Sequence, residues 1–417
     1  MLDIVFIRDN AETVRQAARD KQLSPDVVDV VLQTDAKRRE LQTTVDGLRQ
    51  EANQNADSIK KTVGAGGRPS PDLVDNGKRI KDELKQLEPQ LADAVDAFTQ
   101  AMLQIPNVPA DDVPVGADES GNQVIKQVGE QRAFDFSPKP HHELMEQLGW
   151  LDTQRAVRIG GFRSYFLKGD GVRWEQALMR LAMKILDEEG FVPMSTPVLV
   201  NEEMMWGTGY FPWGSEDHYK TQDGQYLAGT SEVALTAYHA GETLSEADLP
   251  IKMAGISPCF RREVGSYGKD MKGVIRVHQF TKVEQVVYTV ADEAITREWH
   301  QKMVGFSEQL LTELELPYQV LLMCTGDMGA GQRKKFDLET WFPSQQKYRE
   351  THSASYFNDF QARRLNIRYK AADGSLKYVY TLNNTMAASP RLLAAIVENY
   401  QQKDGSIRVP AALNDWL

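Results

Sequence analysis

The stretch that decides the fold reads "CFRREVGSYGKDMKGVIRVHQFTKVEQ" and spans residues 259–285. Its apolar ends predict two antiparallel strands joined by a glycine-rich loop over residues 264–273. Because residues two apart share a face of a strand, we expect Arg261 beside Glu263 and Phe280 beside Glu284. A guanidinium, two carboxylates and a ring suit a ligand with phosphate, a flat base and an amine. Structural cross-strand ion pairs are the alternative interpretation of these residues.

Length and composition limit the classes of protein to consider. The chain has 417 residues, which is enough for two domains, and its net charge of −11 argues against a protein that coats DNA. Cys259 and Cys324 are far apart and outside any C-x-x-C spacing, so we expect neither structural zinc nor a disulfide framework. The first twenty residues hold no long apolar run, which predicts a cytoplasmic protein without signal peptide or membrane span.

A long helical hairpin is predicted over residues 27–105, with its tip near residues 64–72 at "GAGGRPSPD". Apolar residues recur there in steps of three and four, as in a coiled-coil seam. The seam consists of Leu41, Val45, Leu48, Ala52, Asn55 and Ile59 in the first arm, and Ile80, Leu84, Leu87, Leu91, Ala94, Phe98, Ala101 and Ile105 in the second. Each arm should extend on the order of 50 Å.

The hairpin has two possible roles. The plain interpretation is a spacer or dimerisation element. Cations gather toward the tip of an otherwise acidic protein, however, and a projecting rod with such cations suits contact with an RNA backbone. These cations are Arg49, Lys60, Lys61, Arg68, Lys78, Arg79, Lys81 and Lys85.

The sequence changes character after "IPNVPADDVPVGADESGN", a linker over residues 105–122. We therefore predict a helical arm over residues 1–110 and a second domain over residues 111–417. Strand and helix signals mix in the second part without a regular βαβ repeat, which favours an α+β fold with an antiparallel sheet flanked by helices.

Three further segments carry polar residues next to strands. "YLAGTSEVAL" (residues 226–235) ends an apolar strand in a Thr-Ser-Glu cluster. In "YRETHSASYF" (348–357), Glu350 and Ser353 offer two oxygen ligands for magnesium held partly by nucleotide phosphate. In "YTLNNTMAASPR" (380–391), we expect a strand ending at Asn383 and a helix capped by Ser389. Arg391 in its first turn is a cation at the unfavourable helix end, which indicates that it faces an anion.

Two other candidate motifs fail. "GDMGAGQR" (residues 326–333) has P-loop glycine spacing but places Gln332 and Arg333 where Lys and Ser or Thr are needed. "HHELM" (141–145) offers no second histidine at helical spacing, so we interpret it as the solvated start of a helix.

The segments taken together resemble the bacterial type of seryl-tRNA synthetase, a class II family, over essentially the whole chain. The matches in order are the linker, "FLKGDGVRWEQAL", "WGTGYFP", the opening stretch, "YRETHSASYFNDFQARRLNIRY" and "VENYQQKDGSIRVP". The resemblance implies the class II catalytic fold and a homodimer with Pro197 near its interface. It implies ATP-dependent attachment of serine to tRNA(Ser), and to tRNA(Sec) where present, with tRNA bound across subunits and neither DNA nor membrane as a partner.

The resemblance also implies roles for individual residues. Arg261 would bridge the ATP α-phosphate and the serine carboxylate, Phe280 would stack on adenine, and Arg391 would clamp the γ-phosphate. The remaining ATP contacts would come from Arg262, Glu263, Val277, Glu350, Thr351, His352 and Ser353, with Glu350 and Ser353 carrying Mg²⁺. The serine contacts would come from Thr230, Ser231, Glu232, Arg261, Glu284, Asn383 and Thr385, and the catalytic groups would be Arg261, Glu263 and Arg391.

Some residues depart from the common bacterial pattern. "LNNTMAASPR" replaces a glycine-rich motif, "AGTSEV" replaces "IPTAEV", and Thr351-His352 stands where Ile or Val then Ser is typical. Two rival functions fit the same scaffold: a ligase that loads an amino acid onto a carrier protein, and a catalytically silent RNA-binding paralogue. The hairpin counts against the first rival, and retention of Arg261, Glu284, Glu350 and Arg391 counts against the second.

Overall fold

The computed structural model describes residues 1–264, 270 and 272–417. The chain divides into two compact units, one of Leu2–Arg19 and Leu23–Pro106 and the other of residue 1, Asp20–Gln22 and Asn107–Leu417. None of the helices in the described ranges combines the length and the apolar character needed to cross a bilayer.

The helices and strands alternate irregularly along the chain. The α-helices of the described residues are α1 (Ile4–Asp9), α2 (Ala11–Asp20), α3 (Asp26–Gly64), α4 (Pro71–Leu103), α5 (His141–Gln147), α6 (Thr153–Gly160), α7 (Asp170–Glu188), α8 (Glu202–Thr208), α9 (Glu232–Thr236), α10 (Glu293–Glu313), α11 (Phe360–Leu365) and α12 (Ser389–Tyr400). The strands are β1 (Gln123–Val128), β2 (Leu151–Asp152), β3 (Phe166–Leu167), β4 (Val192–Ser195), β5 (Leu199–Val200), β6 (Tyr226–Leu227), β7 (Thr243–Ser245), β8 (Ile251–Phe260), β9 (Gln279–Thr289), β10 (Tyr318–Leu322), β11 (Lys334–Phe342), β12 (Lys347–Asn358), β13 (Arg368–Lys370), β14 (Leu376–Tyr378) and β15 (Tyr380–Ala388).

The helical unit contains the hairpin, in which α3 packs against α4. The seam residues Val45, Leu48, Ile80 and Leu91 are buried, as their spacing predicts. Asn55 is buried in the same seam, where its Nδ2 donates to the Leu73 carbonyl at 3.0 Å. The polar seam position is therefore satisfied within the hairpin, and the predicted helical hairpin is confirmed.

Local sequence signals account for the start of α4. Ser70 has extended backbone angles and its hydroxyl accepts from the Leu73 amide at 3.3 Å, while Pro71 takes the first helical position. This arrangement satisfies a free amide and uses a residue whose fixed φ already suits a helix. The breaker cluster therefore ends one helix and starts the next.

The second unit is built on a mainly antiparallel sheet. Within the described residues its strands run in the order β1-β10-β11-β12-β15-β9-β8-β4, and only the β4–β8 pair is parallel. Helices α7, α10 and α12 pack on this sheet around a large apolar core. The predicted α+β class with helices flanking an antiparallel sheet is confirmed. The neighbouring strands β8, β9, β15 and β12 carry three of the polar segments singled out in the sequence, and the Thr-Ser-Glu segment runs from β6 into α9.

Two local predictions around β15 are wrong. The strand continues past Asn383 to Ala388, because alternate residues of "NNTMAA" fill buried positions on both faces of the sheet. Ser389 does not cap α12. It is the first residue of the helix and is fully buried, and its hydroxyl accepts from the Thr281 amide at 3.3 Å.

The start of α5 is not solvated either, contrary to its interpretation from the sequence. His141 is buried, and its Nδ1 lies 2.9 Å from the Glu398 carboxylate. Its Nε2 accepts from the Val274 amide at 3.3 Å. The ring therefore joins helix α12 to the chain entering the return strand, a tertiary role that helical spacing could not reveal.

Candidate active site

The site is laid out on the pair formed by β8 and β9. Cys259 lies opposite Phe280 and Gly255 lies opposite Glu284, so the predicted antiparallel pairing is present. The predicted connecting loop falls largely on residues 265–269 and 271, outside the described residues. Alternation along β9 places Phe280 and Glu284 on one face, together with Lys282 between them.

Arg261 and Glu263 both line a pocket beside strands β8 and β9. Strand alternation does not explain why their side chains meet there. Strand β8 ends at Phe260, and Glu263 has a left-handed φ of 55°. The Arg261 amide donates to the His278 carbonyl at 3.0 Å, which holds the residue beside the return strand. Its side-chain Nε donates to the Gly229 carbonyl at 3.2 Å, and its guanidinium carbon lies 5.4 Å from the centre of the Phe280 ring.

Arg391 enters the same pocket from the first turn of α12. Its Nε donates to the Ile275 carbonyl at 3.2 Å, and one terminal nitrogen lies 3.0 Å from the Glu350 carboxylate. A cation is unfavourable at a helix start, and these acceptors offset that cost. Burial alone would raise the pKa of Glu350, but Arg391 and Lys335 outweigh it and lower the pKa to about 2. Glu350 is therefore ionised throughout the physiological range.

The resulting pocket holds about 480 Å³ of empty space, which includes the solvent at its mouth. It brings together most of the predicted nucleotide contacts with two residues of the predicted serine set, Arg261 and Thr385. Its lining is Arg261, Glu263, Ile275, Val277, Phe280, Lys282, Glu350, Thr351, His352, Thr385, Ala388, Pro390 and Arg391.

A compact polar cluster adjoins the pocket. The Thr230 hydroxyl donates to the Glu284 carboxylate at 3.2 Å, and the Thr385 hydroxyl lies 3.5 Å from the same oxygen. The Lys282 ammonium contacts that oxygen as well and donates to the Thr385 hydroxyl at 3.4 Å. All four side chains are buried. The cluster can therefore bind a small polar group through direct hydrogen bonds.

Glu232 is a second buried carboxylate near this cluster. Its oxygens accept from the Tyr210 hydroxyl at 2.7 Å and from the Gln361 amide nitrogen at 3.1 Å. Burial raises the pKa of Glu232, and the negative charge of Glu284 adds to the effect. Its direct partners are thus neutral donors.

Some predicted site residues turn away from the pocket. Arg262 donates to the Glu216 carbonyl at 3.0 Å on the exposed side, because the chain leaves strand geometry at Phe260. The Ser231 hydroxyl donates to the Gly255 carbonyl at 3.3 Å. Asn383 is buried in β15, and Ser353 lies opposite Asp337 outside the lining of this pocket.

A second, more polar cavity shares Glu350 and Arg391 with the first, and Asp337, the strand neighbour of Ser353, lines it. Lys335 and Asp337 meet there at 2.8 Å. Burial raises the pKa of Asp337 to about 6 despite the Lys335 charge. Within the described residues its Oδ1 is buried without a hydrogen-bond partner. The cavity thus offers the Asp337 carboxylate beside Glu350, with Ser353 on the neighbouring strand.

Sequence reasoning missed several groups that shape the site. Lys282 was recoverable, since it lies between Phe280 and Glu284 on a strand whose alternation was recognised. Arg276 donates to Glu263 at 2.6 Å, and Arg349 binds both oxygens of Asp270 at 2.6 Å. Those pairs join segments far apart in sequence, and no local pattern indicates them. Tyr210 and Gln361 were missed for the same reason.

Comparison with known proteins agrees with this geometry. Residues 217–400 match the family description "tRNA synthetase class II core domain (G, H, P, S and T)", and residues 1–109 match "Seryl-tRNA synthetase N-terminal domain". The antiparallel sheet with an arginine on β8's continuation and another at the start of α12 thus belongs to a class II aminoacyl-tRNA synthetase.

Similarity over the full chain narrows the class further. The serine–tRNA ligase of Deinococcus radiodurans is 46% identical over 418 residues, covering 100% of this chain and 97% of that protein. The serine–tRNA ligase of Mycobacterium tuberculosis is 43% identical, covering 99% and 97%. The crystal structure of seryl-tRNA synthetase from Pyrococcus horikoshii complexed with ATP superposes with a TM-score of 0.93 at 38% identity, covering 100% of this chain and 98% of that one. The chain belongs to the seryl-tRNA synthetase family, and the resemblance found in the sequence is confirmed.

Proposed function

We propose that this chain forms seryl-adenylate from serine and ATP and then transfers the seryl group to tRNA(Ser). The observation that carries the proposal is the convergence of Arg261, Arg391 and Phe280 on one pocket beside the Thr230, Glu284 and Thr385 cluster. The pocket can bind an anionic phosphate chain and a flat base, and the adjoining cluster can bind a small polar side chain.

ATP takes the larger part of the pocket. Phe280 stacks on adenine, with Val277, Thr351 and His352 completing the lining around the base. Arg261 lies where it can bridge the α-phosphate and the serine carboxylate, and Arg391 clamps the γ-phosphate. The ATP complex of the Pyrococcus horikoshii relative supports this assignment, since the similarity covers the whole catalytic unit.

Serine takes the buried end. Its carboxylate pairs with Arg261, and its hydroxyl is read by Glu284 and Thr385, while Thr230 and Glu232 serve the amino group. Alanine would leave these buried groups without a partner. In sites built this way, the resulting loss of kcat/KM relative to serine can reach about 10⁴-fold. Threonine carries one additional methyl group. Lack of room for one methyl group gives only roughly 10- to 200-fold discrimination.

Magnesium fits the oxygen donors next to the phosphate site. Glu350 stays ionised, and Asp337 Oδ1 is a buried acceptor with no partner among the described residues, beside Ser353. Hard oxygen donors of this kind suit Mg²⁺. Glu350 and Ser353 would hold the ion, and the ion would neutralise charge on the phosphates.

The chain's own residues act by positioning and charge. The serine carboxylate attacks the α-phosphorus and pyrophosphate leaves, while Arg261 holds both reacting groups together. The terminal ribose hydroxyl of tRNA then attacks the seryl carbonyl and AMP leaves. Phosphoryl and acyl transfers of this type need alignment and electrostatic stabilisation rather than a protein nucleophile. This is why the pocket needs no reactive cysteine or histidine.

The helical arm is assigned to tRNA. Lys60, Lys61, Arg68, Lys81 and Lys85 are exposed, and within the described residues none of them has an acidic partner within 4 Å. Arg49, Lys78 and Arg79, by contrast, pair with Glu88, Asp75 and Glu51. Unpaired exposed cations suit sequence-tolerant contact with an RNA backbone. The family resemblance extends the proposal to tRNA(Sec) as a second substrate and to action in the cytoplasm.

A homodimer is assigned to the surface around β4. A groove lined by Met179, Met183, Met194 and Ile256 lies there, and Val192 is 59% exposed. Pro197 lies two residues beyond the end of β4 at Ser195. An apolar groove of this kind is typical of a subunit interface. In such a dimer, tRNA would bind the arm of one subunit and react in the pocket of the other.

The test is amino-acid-dependent ATP–pyrophosphate exchange across the small amino acids, with and without tRNA. Serine alone should support exchange, and it should do so without tRNA. A carrier-protein ligase specific for another small amino acid would give exchange with that amino acid, and a silent paralogue would give none. Either result would overturn the proposal.

A further inference from the structure

Lys282 is the one side chain of the serine cluster to which the family resemblance gave no role. It projects from β9 between Phe280 and Glu284 and is only 4% exposed. Its ammonium contacts the Glu284 carboxylate and the Thr385 hydroxyl, the two groups assigned to the substrate hydroxyl. A buried cation therefore sits against the part of the pocket that decides which side chain is accepted.

The two buried carboxylates beside the pocket, Glu284 and Glu232, differ in whether a cation contacts them directly. Glu284 has Lys282 as a direct cationic partner. Glu232 is held by the neutral donors Tyr210 and Gln361, and in the described part of the chain no Lys, Arg or His nitrogen lies within 4 Å of it. The Lys282 charge acts on Glu232 without direct contact. A buried carboxylate without a directly bound cation attracts one more strongly than a carboxylate in an ion pair, which acts mainly as a hydrogen-bond acceptor. The substrate ammonium is thus directed to Glu232.

We propose that Lys282 is a specificity-determining residue that neutralises Glu284, so that Glu284 and Thr385 accept a neutral hydroxyl and reject a second amino group on the substrate. The proposal rests on the proposed function, because it concerns the amino acid that the same pocket activates. The ligand class it excludes is an amino acid with an ammonium in place of the serine hydroxyl. Like charges brought together in a buried site repel each other strongly, so Lys282 repels a second ammonium on the substrate as well as pairing with Glu284.

L-2,3-diaminopropionate is the matched probe, because it carries an amino group at the position of the serine hydroxyl. In the wild type its ammonium would meet the Lys282 ammonium. In Lys282→Met the methionine fills a similar volume without charge, and Glu284 becomes a buried anion that lacks a cation. The pocket should then favour the diamino acid, whose second ammonium restores the missing charge.

The experiment measures kcat/KM in ATP–pyrophosphate exchange for serine and for L-2,3-diaminopropionate. For Lys282→Met we expect serine kcat/KM to fall roughly 100-fold, and the diaminopropionate-to-serine ratio to rise by a similar factor. Lys302→Met, on the exposed face of α10 and paired with Glu298, is the matched control and should leave both values unchanged. A ratio that changes less than about threefold would overturn the proposal, because loss of a merely structural lysine would lower kcat/KM for both substrates alike.

If the Lys282→Met variant folds poorly, a second pair of variants tests the same proposal. Lys282→Met/Glu284→Gln removes both charges and leaves no uncompensated buried ion. Glu284→Gln alone keeps the cation, so its diaminopropionate-to-serine ratio should be at least tenfold lower than that of the double variant. Equal ratios would refute the role of Lys282. Wild-type exchange with serine, measured alongside, separates this outcome from a failure of the proposed function.

Discussion

The catalytic pocket and the helical arm use charge in opposite ways. In the pocket, Lys282 and Glu284 are buried, Arg261 and Glu350 are partly exposed, and each is held by a direct partner. Near the tip of the arm, Lys60, Lys61 and Arg68 are exposed, and within the described residues no acidic group pairs with them. Buried charges have fixed positions and are screened little by salt, while exposed charges act at longer range and are screened strongly.

This difference suits two kinds of substrate. A small molecule whose reacting atoms must be aligned within fractions of an ångström requires fixed partners. A long RNA is recognised through many phosphates, and each contact is weak and sensitive to salt. The two units should therefore respond differently to mutation, to pH and to ionic strength.

The largest effect should come from removing a fixed charge in the pocket. Arg261→Ala removes the guanidinium held by the Gly229 carbonyl beside Phe280, and with it the bridge between the reacting groups. We expect kcat/KM in pyrophosphate exchange to fall roughly 10³-fold, with an unchanged unfolding transition. Arg262→Ala is the adjacent control, because that side chain points to the Glu216 carbonyl, and it should cost less than about tenfold. Near-wild-type exchange in Arg261→Ala would remove the residue from its role.

Acid should weaken the catalytic unit through two buried histidines. Burial lowers the pKa of His300 and of His352 to about 4. The unfolded chain takes up these protons near pH 6.5 and the folded chain near pH 4, so stability falls as pH drops through that interval. The loss is at most about 3 kcal/mol per histidine, measurable by urea unfolding at several pH values. His352→Asn should flatten the pH dependence, and an unchanged slope would contradict the assignment.

The arm should respond to charge removal without loss of adenylate formation. Replacing Lys60, Lys61, Arg68, Lys81 and Lys85 together by Ala should raise the KM for tRNA by roughly 30-fold and reduce its salt dependence. Pyrophosphate exchange should stay within twofold of wild type. Substituting the paired residues Arg49, Lys78 and Arg79 is the control and should have a smaller effect on the KM. An unchanged KM for tRNA in the five-residue variant would make the arm a spacer.

The smallest effect should come from a single hydroxyl in the pocket. Thr385→Val keeps the shape of the side chain but removes the group that lies 3.5 Å from the Glu284 carboxylate. We expect the KM for serine to rise roughly tenfold, while the KM for ATP does not change. Thr385→Ser retains the hydroxyl and should stay close to wild type. Equal effects of the two substitutions would mean that the hydroxyl is not read.

The two regions also differ in how much of them the sequence could predict. The arm follows a short local period, so the seam residues Val45 and Ile80 and the breaker at the tip could be identified directly. The pocket depends on pairing between distant segments. The β8–β9 alternation was recognised, but the end of β8 at Phe260 and the continuation of β15 to Ala388 were not.

Errors in the pocket have identifiable physical causes. Arg262 was placed with ATP by the family resemblance alone, whereas in the structure its side chain donates to the Glu216 carbonyl. Ser389 has the sequence context of a cap, yet burial against Thr281 gives its hydroxyl another partner. The Arg276–Glu263 and Arg349–Asp270 pairs are tertiary contacts with no local pattern. Lys282 alone was accessible from the period of the strand.

The most direct measurement of the central claim follows pyrophosphate exchange and tRNA aminoacylation side by side on the intact chain as salt rises from about 50 to about 200 mM. We expect serine-dependent exchange to change less than threefold, because the charges of the pocket are held at short range by direct partners. We expect aminoacylation to fall steeply through the KM for tRNA. Parallel decline of both activities, or exchange driven by another amino acid, would contradict the division of roles between the pocket and the arm.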